Sequence, residues 1–137
     1  RGALFGLTRN TGIPELVKAT IDSVVYQTKD LILAMEKDSG IRIKKIKVDG
    51  GMVNNNQFVQ FLSNLLLCEC LRPKINETTS LGAAYLAGYQ SGLIKKFTDI
   101  NSKWKSEKTF VHKMNKKDIE QLYLGWKKAI KGTLASK

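Results

Sequence analysis

The residues best placed to do chemistry are Val48-Asp49-Gly50-Gly51-Met52-Val53-Asn54-Asn55-Asn56. A short apolar run ends on a carboxylate, two glycines turn the chain, and three amides follow. Paired glycines permit positive φ and let a ligand approach the backbone without a Cβ in the way. A helix beginning just after them would offer free N–H groups and the positive end of its dipole, which suit phosphate. Asn both donates and accepts, which suits an adenine edge or a ribose hydroxyl. The same residues also make an ordinary tight turn with an Asn cap, and on their types alone that plainer reading stays open. A Walker loop is excluded, because no Gly-Lys-Ser/Thr follows.

Other reactive side chains are sparse. His112 is the sole histidine and reads as a surface residue. Cys68 and Cys70 have no second pair or His partner, so they read as two small buried side chains rather than half a metal site. Asp49 and Glu77 form no evident acid/base pair. No metal site is expected in the chain.

The elements that must position the glycine turn can be read from periodicity. Residues 2–8 suit a strand or an extended entry segment. From Pro14 to Lys37, Leu16, Val17, Thr20, Ile21, Val24, Val25, Thr28, Leu31, Ile32 and Met35 recur at helical spacing, and Ser39-Gly40 closes the helix. Lys44 to Asp49 reads as a short strand with Ile46 and Val48 on one face. A second helix is expected from about Asn55, with Phe58, Phe61, Leu62, Leu65 and Leu66 on one stripe. Cys68 to Arg72 reads as a strand closed by Pro73. Thr78, Thr79 and Ser80 are candidate N-caps for a third helix, Leu81 to about Ser91. Its small residues Gly82, Ala83, Ala84, Ala87 and Gly88 would let it pack near the sheet or the first helix. Residues 95–112 read as polar and irregular. Asn115 can cap a last helix with a core stripe of Ile119, Leu122, Tyr123, Trp126 and Ile130.

Strands alternating with helices argue an α/β layer around a short, mostly parallel sheet with flanking helices. Three short strands make a poor sheet alone, and so long an amphipathic helix calls for more sheet beneath it. The chain of 137 residues is therefore expected to be one part of a larger domain.

Net charge is +11, and most of it lies late. Residues 95–137 carry 12 lysines, no arginine and 4 acids. A small basic nucleic-acid-binding module is one reading. The absence of arginine and of aromatics interleaved with the lysines favours a solvated surface, so no specific nucleic-acid partner is expected. No run of 18 apolar residues exists for a membrane helix, and two cysteines cannot staple a secreted fold, so a cytoplasmic setting is expected. A non-catalytic remnant that only packs or dimerises is a further reading.

The segment Val48 to Asn55 resembles the adenosine motif of the sugar kinases in the actin-like ATPase superfamily. The resemblance runs along nearly the whole chain and is most specific to the glycerol kinases. Arg1 to Thr8 is similar to their entry into the late C-terminal domain. Tyr26 to Asp30 and Asp38 to Ile41 resemble their long helix and its exit. Glu77 to Gly88 resembles their small-residue helix, and Gly125 to Ala129 their terminal helix. This implies a partial actin-like ATPase, ribonuclease-H-like domain within residues 1–137, with an α/β core over 1–94 and a Lys-rich connection and terminal helix over 95–137. It implies a whole enzyme that uses ATP and Mg²⁺ to convert glycerol to glycerol 3-phosphate, forms a homo-oligomer and reaches glycerol through an upstream domain. Carried over by position, Gly51 and Asn55 would contact ATP or ADP, and Gly50 would shape the turn. The family's catalytic Asp base lies upstream of the matched region, so this stretch by itself is expected to be inactive.

Overall fold

The computed structural model describes residues 2–75, 77–96, 98 and 104–135. The elements in chain order are α1 (Ile13–Ser39), β1 (Lys45–Lys47), a 3₁₀ turn (Gly51–Asn54), α2 (Asn56–Leu66), β2 (Glu69–Pro73), α3 (Thr78–Gln90), β3 (Ser106–Phe110) and α4 (Lys116–Ala135). Residues 2–8 form neither strand nor helix, and Leu4, Phe5 and Leu7 are exposed.

The sheet order is β1-β2-β3. The α/β layering is as expected, but the strand directions are mixed. β1 pairs parallel with β2, with Ile46 opposite Cys70, and β2 pairs antiparallel with β3, with Cys70 opposite Phe110. β3 lies within the stretch expected to be irregular. Its sequence, Ser-Glu-Lys-Thr-Phe, shows only Phe110 buried, because β3 is an edge strand whose remaining side chains face water. Such a strand carries almost no hydrophobic period to detect.

α2 is the centre of the core. Phe58, Val59, Leu62 and Leu65 point inward and meet Val25 of α1, Val48 and Val53 beside β1, Cys68 and Cys70, Phe110 of β3 and Ile119 of α4. Both cysteines are free and buried, as expected. At the far end of α2, Leu67 takes a left-handed conformation and its N–H donates to Asn64 O at 3.3 Å. There Lys29 Nζ donates to Leu65 O at 2.8 Å, placing a cation on the helix's negative end.

α1 begins where Glu15 reaches back to accept from Gly12 N at 2.8 Å, and ends at Gly40 with φ +67°. Only Val25 of its long apolar stripe is fully buried. Ile13, Val17, Val24, Leu31 and Met35 are exposed. The small-residue helix α3 does not pack as expected. None of its residues is buried, and a Cβ on Gly82 would meet open space. It also starts earlier than expected. Thr78, Thr79 and Ser80 lie inside its first turn, and Glu77 holds the N-cap position without a side-chain bond.

α4 starts at the expected cap. Asn115 Oδ1 accepts from Asp118 N at 2.9 Å, and Asn115 Nδ2 donates to Asp118 Oδ2 at 2.6 Å. Its stripe is more polar in use than expected. Ile119 is buried, but Trp126 donates through Nε1 to Asp30 Oδ2 at 2.7 Å, and the Tyr123 hydroxyl donates to Asp30 Oδ1. Trp126 also stacks on Tyr26, with centroids 5.4 Å apart and planes 10° apart. α4 is thus pinned to α1 by a shared carboxylate and a ring stack.

Candidate nucleotide site

The glycine turn leaves the carboxyl end of β1, the edge where ligands enter open α/β sheets. Asp49 turns both oxygens onto the protein. Oδ1 accepts from Gly50 N at 2.6 Å, and Oδ2 accepts from the Thr78 hydroxyl at the start of α3. Asp49 therefore joins the end of β1 to α3 across 29 residues of sequence.

The two glycines differ in the reason for their size. Gly50 has φ +94° and ψ 173°, a conformation that a Cβ disfavours whatever the surrounding space. Gly51 has no such strain, and a Cβ built on it meets nothing within 4 Å. Gly50 shapes the turn, whereas Gly51 leaves an open approach to it. The turn closes through Val53 N donating to Gly50 O at 3.2 Å and Asn55 N donating to Met52 O at 3.1 Å. Val53 is the turn's apolar anchor in the core, while Met52 is exposed.

The start of α2 is not the open phosphate seat expected from its position. A 3₁₀ turn intervenes, and Asn55 Oδ1 accepts from Gln57 N at 2.9 Å and Phe58 N at 3.2 Å. The side chain occupies the N–H groups of Gln57 and Phe58, so the loop's approach to a ligand is by glycine backbone and the Asn55 amide.

The structure also brings to the loop a residue that the sequence-based candidates omit. Arg72 of β2 is 8% exposed. Its Nη1 donates to Val53 O and to Asn56 Oδ1, each at 3.0 Å, and its Nε donates to Glu107 Oε2 at 2.9 Å. A signal for it exists. Strand alternation places Cys68, Cys70 and Arg72 on one face, so a buried pair predicts a buried arginine, and a buried arginine needs partners.

Elsewhere the candidates resolve simply. His112 is exposed. Among the described residues no group of three or more His, Cys, Asp or Glu could hold a metal ion, and no helix is long and apolar enough to cross a membrane.

Comparison with known proteins places these features in a family. The chain is 53% identical over all 137 residues to a glycerol kinase of Geobacillus sp. and 50% identical to one of Bacillus cereus. It spans 28% of the length of each of these relatives. Among solved structures, the Plasmodium falciparum glycerol kinase with ADP superposes with a TM-score of 0.84 at 30% identity, covering 96% of this chain and 26% of that one. A xylulose kinase from Lactobacillus acidophilus shares the fold, with a TM-score of 0.72 at 23% identity, covering 100% of this chain and 28% of that one. The expected fold class, part of an actin-like ATPase domain, is the one these sugar kinases carry. Nothing in these comparisons supports a nucleic-acid-binding module. The model of the FGGY family of carbohydrate kinases, C-terminal domain, matches residues 1–91, and the chain belongs to that family.

Proposed function

We propose that this chain is the C-terminal nucleotide-binding portion of an ATP-dependent glycerol kinase, which converts ATP and glycerol to ADP and glycerol 3-phosphate. The observation that carries the reading is identity of 50% or more along the whole chain to glycerol kinases. In this reading Gly50 sets the turn, Gly51 admits the nucleotide against bare backbone, and the Asn55 amide hydrogen-bonds it. The core spans 1–94, and 95–137 adds the edge strand and the terminal helix that ties back to α1.

The catalytic base and the glycerol pocket belong to the rest of the enzyme. This chain's task is to bind and orient the nucleotide while lobe closure excludes water. The exposed apolar stripe on α1 supports a larger assembly around this part, because so many uncovered large side chains on one helix face call for a covering surface. The same reading makes the whole enzyme cytoplasmic and a homo-oligomer. It uses Mg²⁺, but the described residues offer no cluster to hold that ion, and both Asp49 oxygens are engaged. Mg²⁺ would be held by the triphosphate and by residues outside this chain.

The test is calorimetric titration of the full-length protein with ADP, together with an assay of glycerol phosphorylation. Saturable ADP binding and formation of glycerol 3-phosphate are expected. A folded protein that binds ADP but phosphorylates another polyol in place of glycerol would keep the nucleotide site and overturn the substrate.

A further inference from the structure

We propose that Arg72 is a positioning residue for the nucleotide loop. The inference rests on the reading of Gly50, Gly51 and Asn55 as nucleotide contacts. It adds a residue that touches no ligand and acts through the loop backbone.

The loop's height above the sheet has to be set by something other than its own turn bonds. Those bonds, Val53 to Gly50 and Asn55 to Met52, fix its internal shape only. The buried Val53 side chain supplies one external tie, and Arg72 supplies the polar one. It sits on the middle strand, with its backbone in register with Lys108 of β3. One nitrogen, Nη1, binds the carbonyl of Val53 in the turn and the side chain of Asn56, the first residue of α2. Asn54 and Asn55 are the two residues between them. Nε binds Glu107 on the edge strand, and the guanidinium lies 5.5 Å from the Phe110 ring centroid.

The chemistry requires arginine. A guanidinium presents its donors in one plane at fixed angles, so contacts made by different nitrogens fix the distances between the groups they hold. Lysine presents a single flexible point charge and cannot hold the turn and Glu107 in one plane. Burial makes the arrangement obligatory, because a buried cation without partners is costly, and Glu107, 49% exposed, supplies the compensating charge. A displaced turn would carry Gly51 and Asn55 off the nucleotide, which weakens nucleotide binding.

The experiment uses the full-length enzyme with Arg72→Lys and Asn56→Ala, measuring ADP affinity, KM for ATP and for glycerol, kcat and thermal melting. Both variants are expected to raise KM for ATP and the ADP dissociation constant roughly ten-fold, the scale of a lost buried hydrogen bond to a charged group. KM for glycerol and kcat should stay within about two-fold. Unchanged KM for ATP in a folded variant overturns the inference. So does a rise in both KM values accompanied by a lowered melting temperature, which marks a general structural role. If Arg72→Lys does not fold, Asn56→Ala decides alone, since it removes one Arg72 acceptor and leaves the charge pair. A parent enzyme that binds no ADP is a different outcome: it removes the nucleotide reading itself, and this role with it.

Discussion

The side-chain oxygen of Asn55 accepts a hydrogen bond from the backbone N–H of Gln57 at 2.9 Å. It accepts a second from Phe58 N at 3.2 Å. One residue thus starts the helix that fills the core and carries the amide proposed to meet the nucleotide. Asn55→Ala should lower stability by about 1 kcal/mol, the usual cost of a lost N-cap, and weaken ADP binding as well. Asn55→Asp keeps the capping oxygen and loses the amide donor. It should fold as stably as the parent in denaturant melts while binding ADP more weakly. Equal ADP affinity in Asn55→Asp and the parent removes the Asn55 contact.

The two glycines should separate in the same pair of measurements. Gly50→Ala forces a Cβ into a positive-φ conformation and should cost roughly 1–3 kcal/mol in chemical denaturation. Gly51→Val enters open space, so its stability should fall within about 1 kcal/mol of the parent, the range of a substitution that meets no neighbour. ADP affinity should drop in Gly51→Val, because the side chain occupies the approach to the turn. A Gly51→Val variant with unchanged ADP affinity would falsify the assignment of that face.

The pairing of α4 with α1 predicts an alkaline response. Burial first, then the hydrogen bond to Asp30 and that carboxylate's charge, together push the Tyr123 hydroxyl up to about 12 from its ordinary 10.0. The fold therefore favours the neutral phenol. Its contribution is complete below pH 10 and is lost as the pH rises towards 12. The phenolate absorbance change missing from Tyr123→Phe should have its midpoint near 12. In Asp30→Asn the midpoint should move down towards the ordinary value, though not fully, because burial remains the larger cause. A midpoint unmoved by Asp30→Asn would show that the carboxylate does not act on the phenol.

Cys68 and Cys70 should report on the core. Both are free and buried; the hydrogen bond between them, with burial second, pushes the Cys70 thiol upward, and the same bond pulls the Cys68 thiol down. Thiolates, not thiols, react with aromatic disulfides. Because burial shields both sulfurs from the reagent, neither Cys68 nor Cys70 should react rapidly in the native protein, and both should react on unfolding. Fast reaction of one equivalent in the native state would place a cysteine at the surface.

Much of the architecture was legible in residue types and spacing, and for physical reasons. α1 and α2 have apolar residues recurring every three to four positions. Gly40 and the Asn55 and Asn115 caps mark boundaries that backbone chemistry enforces locally. The turn at Gly50-Gly51 was legible because few residues tolerate that backbone. Local rules of this kind act over a few residues, so the chain carries their outcome in order.

What only the tertiary structure decided lies across long separations. β3 is a strand because β2 offers it an unpaired edge, not because Ser106 to Phe110 alternate clearly. Tyr123 and Trp126 sit on a helical stripe that suggests core, yet both bond to Asp30, more than 90 residues away. Strand alternation can mark Arg72 as inward-facing, but its partners appear only when β2 is folded between β1 and β3. It then lies buried beneath the turn, where desolvation requires that it find Val53, Asn56 and Glu107. Periodicity records which face of an element is apolar. Which partner meets that face, and which polar group must be satisfied there, is set only when distant segments close together and exclude water.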